Sequence, residues 1–213
     1  MKLITFQAPN AIRVHSFLTE KGIDLPCETV DIAGGAGRKA DFLCKNSLGE
    51  VPVLELDDGS YLTESVAICR YLEALHPDPA LFGTDPLNQA RVEMWTRRME
   101  LRVVAPISNA ALHELPFFSD RVDQLPDYAQ SQRRLQEARW EWLNAEISDG
   151  RTYLAGDRFS IADIVATTAL LVSDLLEAPI PSHLRHVRRW EDAVRSRTSW
   201  MTFGDPRLPQ IAA

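Results

Sequence analysis

Cysteine, basic charge and long apolar runs are all scarce in this sequence. Its three cysteines, Cys27, Cys44 and Cys69, are far apart and odd in number. That argues against a disulfide framework and against a zinc site, both of which need clustered ligands. No Cys-x-x-Cys pair occurs, so a thioredoxin-type redox dithiol is excluded. Net charge is −7, whereas a protein that grips nucleic acid phosphates ordinarily carries a basic excess. The Arg-Arg pairs at 97–98, 133–134 and 188–189 are interleaved with acids or apolar residues and read as solvated helix faces. No segment reaches the ~18 apolar residues of a membrane span, and the N-terminus lacks the basic-then-apolar run of a leader. The expectation is a cytoplasmic protein with no nucleic acid partner, no membrane partner and no metal.

What is present falls into two halves with different periodicity. "KLITF" and "CETVDI" read as strands on either side of the helix "AIRVHSFLTEKG", whose Val14, Phe17 and Leu18 share a face before a stop at Gly22. "RKADFLCKN" is a short amphipathic helix. "VPVLEL" and "SYLT" are strands joined through "DDG", a hairpin signal. "ESVAICRYLEALH" has Ile68, Tyr71, Leu72 and Leu75 at helical spacing. The order βαβ-α-ββα is that of an α/β thioredoxin-like domain, placed at residues 1–78. A Pro-rich linker follows at 79–87. Residues 88–213 carry only helical patterns and read as an all-α bundle. Its first helical segment should kink at Pro106. "SIADIVATTALLVSDLLEA" should be the buried central helix, opened by a Ser160–Asp163 capping box. The last helix presents Val187, Trp190 and Val194 on one face.

Two places carry candidate chemistry. A cis proline at Pro52 would leave Val51 at a sheet edge, its N–H and C=O open to an extended peptide; alternatively Pro52 only blocks edge pairing. Glu64 and Ser65 open a helix. Together they suit the two charges of an α-amino acid end, the hydroxyl and free amides holding a carboxylate and the acid an ammonium. The other reading is an N-cap with an acid that favours the helix dipole.

"NSLGEVPVLELDDGSYLTESVAICRYLE" resembles the N-terminal signature of the cytosolic glutathione transferases, departing from it at Ser47, where proline is usual. "LAGDRFSIADI" resembles the C-terminal signature of the same family. The resemblance covers essentially the whole chain and implies glutathione (γ-Glu-Cys-Gly) as co-substrate. It places Val51, on the Pro52 edge, against the cysteinyl backbone, and Glu64 and Ser65 on the γ-glutamyl end. It sets Lys39, with Arg38, near the glycine carboxylate and Glu50 where many relatives have glutamine. It further implies attack of the glutathione thiolate on a small hydrophobic electrophile held by the helical domain. The implied assembly is a cytoplasmic homodimer of the bacterial or fungal type, serving detoxification. Family dimers pair the first domain of one chain with the helical domain of the other. The surfaces concerned here would be the exposed side of "YLTESVAICRYLEALH" and the helix from Asn88 to Ala105. Two alternatives stay open. One is glutathione-dependent disulfide or peroxide reduction, since "APN" resembles members with that activity. The other is a non-catalytic binding module on the same fold.

The sulfur must be made a thiolate to react. Lowering a thiol pKa of about 8.5 by two units takes ~2.7 kcal/mol. Most of the family places a tyrosine, serine or cysteine after the first strand, but "FQAPNAIRV" offers Ala8, Pro9 and Asn10. Two substitutes remain. Asn10 is one, as in relatives with a "PN" dipeptide there. The other is Ser108, Asn109 and His113 in "RVVAPISNAALHELP". That stretch is similar to a subgroup in which a helix serine and histidine hold a water against the sulfur. Asn109 and His113 are spaced i, i+4 and share a face. The remaining histidines, His15, His76, His183 and His186, read as structural.

Overall fold

The computed structural model describes residues 1–203 and divides the chain into two units. The first holds Met1–Ala80 with the chain from Thr198, and the second holds Leu81–Arg197.

In the first unit, strand β1 (Lys2–Thr5) is central, so Leu3, Ile4 and Thr5 have no exposure at all. It pairs in parallel with β2 (Cys27–Thr29) and antiparallel with β3 (Val53–Glu55), which pairs antiparallel with β4 (Tyr61–Thr63). The sheet order is β2-β1-β3-β4. Helix α1 (Pro9–Lys21) makes the parallel crossover and buries Val14, Phe17 and Leu18 as its spacing predicts. It ends in a Schellman turn. Ile23 N donates to Leu18 O at 2.9 Å and Gly22 N to Thr19 O at 3.1 Å, with Gly22 at φ 63, a conformation that a side chain would oppose.

The predicted second helix is broken into a 3-10 turn (Ala36–Arg38) and a four-residue α2 (Ala40–Leu43). Extended backbone at Lys39 separates them. Here the chain crosses itself backbone to backbone. A methyl on Gly37 would collide with the Gly49 carbonyl, and one on Gly49 would lie 2.6 Å from the Gly37 carbonyl oxygen. Helix α3 (Ser65–Leu75) buries Ile68 and Leu72 with Cys69, whereas Leu75, in its last turn, stays 47% exposed. Helix α9 (Thr198–Phe203) packs on α1, where Ser199 Oγ donates to Glu20 Oε1 at 2.5 Å.

In the second unit, α4 (Pro86–Met99) starts at Asp85, whose carboxylate accepts the Leu87 and Asn88 amides at 3.0 Å each. The expected kink at Pro106 takes the form of a π-helical turn, Glu100–Val104, leading into α5 (Ala105–Glu114). Proline withholds the amide that residue 102 would have received, and the wider turn absorbs the loss. The buried Gln136 of α6 (Pro126–Glu146) backs this turn. In the amide orientation that satisfies both ends, it donates to Val103 O at 2.7 Å and accepts from Trp140 Nε1 at 3.3 Å. Helix α7 (Ile161–Leu175) is buried at every position from Ile161 to Ser173, and α8 (Arg185–Arg195) buries Val187, Trp190 and Val194.

The Ser160–Asp163 capping box forms. Asp163 does more than cap. Its Oδ2 accepts from Ser160 N and Oγ at 3.0 Å, and its Oδ1 from Leu154 N at 2.9 Å and Trp190 Nε1 at 3.0 Å. One fully buried carboxylate thus ties the start of α7 to α8 and to the loop before it. A thioredoxin-like sheet unit and an all-helical unit make up the described chain, and none of its helices is long and apolar enough to cross a membrane.

Candidate functional site

The predicted edge is present in the first unit. The Val51–Pro52 bond is cis. The Val51 side chain is buried in a cluster with Ile4, Ala11, Phe42 and Val53, against which Phe6 and Ala8 also pack. Among the described residues, no backbone hydrogen bond engages the Val51 N–H or C=O. The residue is therefore anchored by its side chain and leaves a ladder rung free. Buried Asn46 holds the approach to it, donating to Glu50 O at 2.7 Å and accepting from Leu48 N at 3.1 Å. Glu50 and Lys39 are both exposed, Lys39 immediately before α2.

The same apolar cluster gathers the start of α1. Ala8, not Asn10, is its N-cap and makes no side-chain cap bond; Pro9 and Asn10 are the first two helical residues. The amides of Asn10 and Ala11 precede the first intrahelical bond, Ile12 N to Ala8 O at 2.9 Å. Asn10 is exposed, its side chain makes no hydrogen bond with another described residue, and no acid sits in the first turn. This is an open, electropositive helix end.

Glu64 and Ser65 stand at the start of α3. Glu64 is exposed and has φ 67 and ψ 112. Holding a non-glycine residue at positive φ costs on the order of 1–3 kcal/mol, a strain found at ligand clamps. Ser65 is buried, with an exposure of 5%, and its Oγ accepts from Arg13 Nη1 at 2.7 Å. The first-turn amides of α3 lie beside it.

In the second unit the shared face of Asn109 and His113 is real, since both reach Tyr128. Asn109 Nδ2 donates to its hydroxyl at 3.4 Å, and the His113 ring meets it edge-on at 5.0 Å. His113 Nδ1 accepts from Leu125 N at 3.3 Å. Ser108 is half-buried on the same helix. Of the protein's own thiols, burial pushes Cys69 up, and burial with the Asp24 carboxylate pushes Cys27 up, which makes both poor nucleophiles.

Family models for the glutathione S-transferase N-terminal domain and C-terminal domain match residues 3–80 and 106–198.

The chain belongs to the glutathione S-transferase family.

Among its relatives is Glutathione S-transferase 2 of Saccharomyces cerevisiae, 31% identical over 205 residues, covering 93% of this chain and 88% of that protein. The solved structure of Gtt2 from Saccharomyces cerevisiae superposes with a TM-score of 0.88 at 29% identity, over 95% of this chain and 100% of that one. Elongation factor 1-gamma of Drosophila melanogaster is 34% identical over 160 residues, which are 74% of this chain and 35% of that protein. Glutathione is the co-substrate of the glutathione S-transferase family. Within this member, sequence reasoning missed Arg13, the partner of Ser65. The two are 52 residues apart, and a lone arginine on an apolar helix face was the one signal available.

Proposed function

We propose that this protein is a cytosolic homodimeric glutathione transferase that joins the glutathione thiolate to a small hydrophobic electrophile. The observation that carries this reading is Val51. Its buried side chain and free backbone rung sit in one apolar cluster with the open start of α1. A cysteinyl residue paired on that rung has its sulfur beside a helix N-terminus that favours negative charge. Glu64 takes the γ-glutamyl ammonium, and Ser65 with the first-turn amides of α3 takes its carboxylate. Lys39 serves the glycine end, and Glu50, next to Val51, belongs to the glutathione-binding set. Asn10 donates its amide N–H to the sulfur. Ser108, Asn109 and His113 form the second route to thiolate activation. Residues 1–78 are the glutathione-binding domain, 79–87 the linker and the helices from 88 to 197 the part that holds the electrophile, α9 being grouped with the first unit.

The dimer reading draws support from exposed apolar residues on the two named surfaces. Leu87, Met94 and Leu101 recur every seventh position along α4 and its π turn at 60%, 42% and 52% exposure, and Tyr61 and Leu75 are exposed in the first unit. Sedimentation is expected to give about twice the 24.0 kDa chain mass; a monomer at micromolar concentration would count against it.

Calorimetric titration with glutathione, followed by turnover of aryl halides, epoxides, hydroperoxides and mixed disulfides, tests the whole reading. Conjugation of an aryl halide or epoxide is the expected outcome. Turnover restricted to disulfides or peroxides would make the protein a glutathione-dependent reductase. The similarity to elongation factor 1-gamma favours a second reading, a non-catalytic binding module. No glutathione binding at millimolar concentration would select that reading.

A further inference from the structure

We infer that Arg13 is a positioning residue that fixes the Ser65 hydroxyl as a donor toward an anionic ligand group, and so sets the site's selection for a γ-glutamyl carboxylate. The inference rests on the glutathione reading above. Arg13 lies in the stretch of α1 from Ala11 to Leu18 that is buried all round, and its own exposure is 4%. A guanidinium has five N–H donors and no acceptor. The 2.7 Å bond between Arg13 Nη1 and Ser65 Oγ therefore has one polarity only, and the serine oxygen accepts. A hydroxyl has a single proton. With a lone pair committed to Arg13, Ser65 keeps that proton for a different acceptor.

The surroundings limit what that acceptor can be. Ser65 is the first residue of α3, so the amides of the first helical turn are donors too. At Ser65 the guanidinium, the directed hydroxyl and the first-turn amides offer hydrogen, while the neighbouring Glu64 carboxylate is the acceptor that the proposed function gives to the ammonium. A carboxylate can accept several of these bonds at once, and an ammonium group can accept none. Arg13 thus acts through Ser65 on specificity. A buried guanidinium is costly to place in an apolar interior, and fixing a donor array is a role that leucine or methionine at position 13 could not fill.

The test is a double-mutant cycle read on glutathione and on 4-aminobutanoyl-cysteinyl-glycine, which lacks only the γ-glutamyl carboxylate. Arg13→Gln is expected to raise the KM for glutathione about tenfold, the scale of one hydrogen bond to a charged group. The effect should fall on KM rather than on kcat. The preference for glutathione over the decarboxylated analogue should shrink by a similar factor. Ser65→Ala should do the same, and the double variant should be no worse than Ser65→Ala alone. Arg13→Lys keeps a donor and the charge, and should restore most of the affinity and the selection. The lysine variant also stands in if Arg13→Gln does not fold, and loss of carboxylate selection in folded Arg13→Lys then overturns the inference. So would Arg13→Gln and Ser65→Ala effects that multiply, or Arg13→Gln with unchanged selection. Wild-type protein that binds no glutathione would overturn the underlying reading as well. Wild-type binding with multiplying effects would overturn the inference alone.

Discussion

Helix α7 begins with its amides covered by its own residues, and α1 begins with them open. At α7 the Ser160–Asp163 box satisfies the helix start, and Asp163 gathers four donors in a fully buried position. At α1 the cap residue is Ala8, no side chain caps the turn, and exposed Asn10 lies two residues on. Burial explains the contrast. A buried helix end without partners leaves donors unmet at about 1–3 kcal/mol each, whereas an exposed one is served by water and stays available to a ligand. The closed start belongs to stability, and on the proposed function the open one belongs to binding.

The largest break in this comparison should come from Asp163→Ala. It leaves the Leu154, Trp190 and Ser160 donors without their shared acceptor, and should cost about 3–5 kcal/mol of stability. Denaturant unfolding measures the loss. Because the role is structural, protein that remains folded should bind glutathione as before. Next comes pH. Burial of His15, which pairs with Thr5 Oγ1 at 2.9 Å, lowers its pKa from the ordinary 6.5 to about 4. Between those values the unfolded chain binds a proton that the folded chain does not. Stability is therefore full above about pH 6.5 and falls as pH drops toward 4, by about 3 kcal/mol in all. His15→Gln should flatten that part of the curve when unfolding is followed from pH 7 to pH 4.

Ser65→Ala should weaken glutathione binding by ~1–3 kcal/mol, the cost of an unmet carboxylate partner. Calorimetry reads it, and Glu64→Ala should do at least as much; two unchanged affinities would remove glutathione from the account. The smallest and sharpest effect should come from Asn10→Asp. An acid in the first turn of α1 should stabilise the fold by ~0.3–1 kcal/mol through the helix dipole. It should also raise the pKa of bound glutathione, because it faces the thiolate with like charge. Thiolate absorbance against pH checks this, with Asn10→Ala and His113→Gln as the companion variants. If His113→Gln raises the thiol pKa by a unit or more while Asn10→Ala leaves it alone, activation runs through α5.

Features set by short-range chemistry were legible in the sequence. The apolar spacing of α1 and α8, the capping box of α7 and the Val51–Pro52 edge all rest on residues within a few positions of one another. What escaped was set by distance along the chain or by backbone that composition does not reveal. Asp163 meets Trp190 and Arg13 meets Ser65 only once helices pack. The positive φ of Glu64 has no glycine to announce it. The α9 helix groups with the first unit although it lies beyond the bundle in sequence. Asparagine favours a helix cap, yet Asn10 is not one, because Pro9, favoured at the first helical position, sets the boundary at Ala8.

The π turn at Glu100–Val104 bears on how such a protein could diverge. A π turn is an α-helix with one residue to spare, so deleting a single residue between 100 and 104 would restore an even helix. The wider turn spends that extra residue locally, so the deletion would leave α5 in the same rotational phase relative to α4 and keep Ser108, Asn109 and His113 on the side they now occupy. A lineage could then gain or lose this bend in one genetic event without re-aiming the side chains that α5 presents. Related chains that differ by one residue at this bend are expected to keep the same electrophile preference.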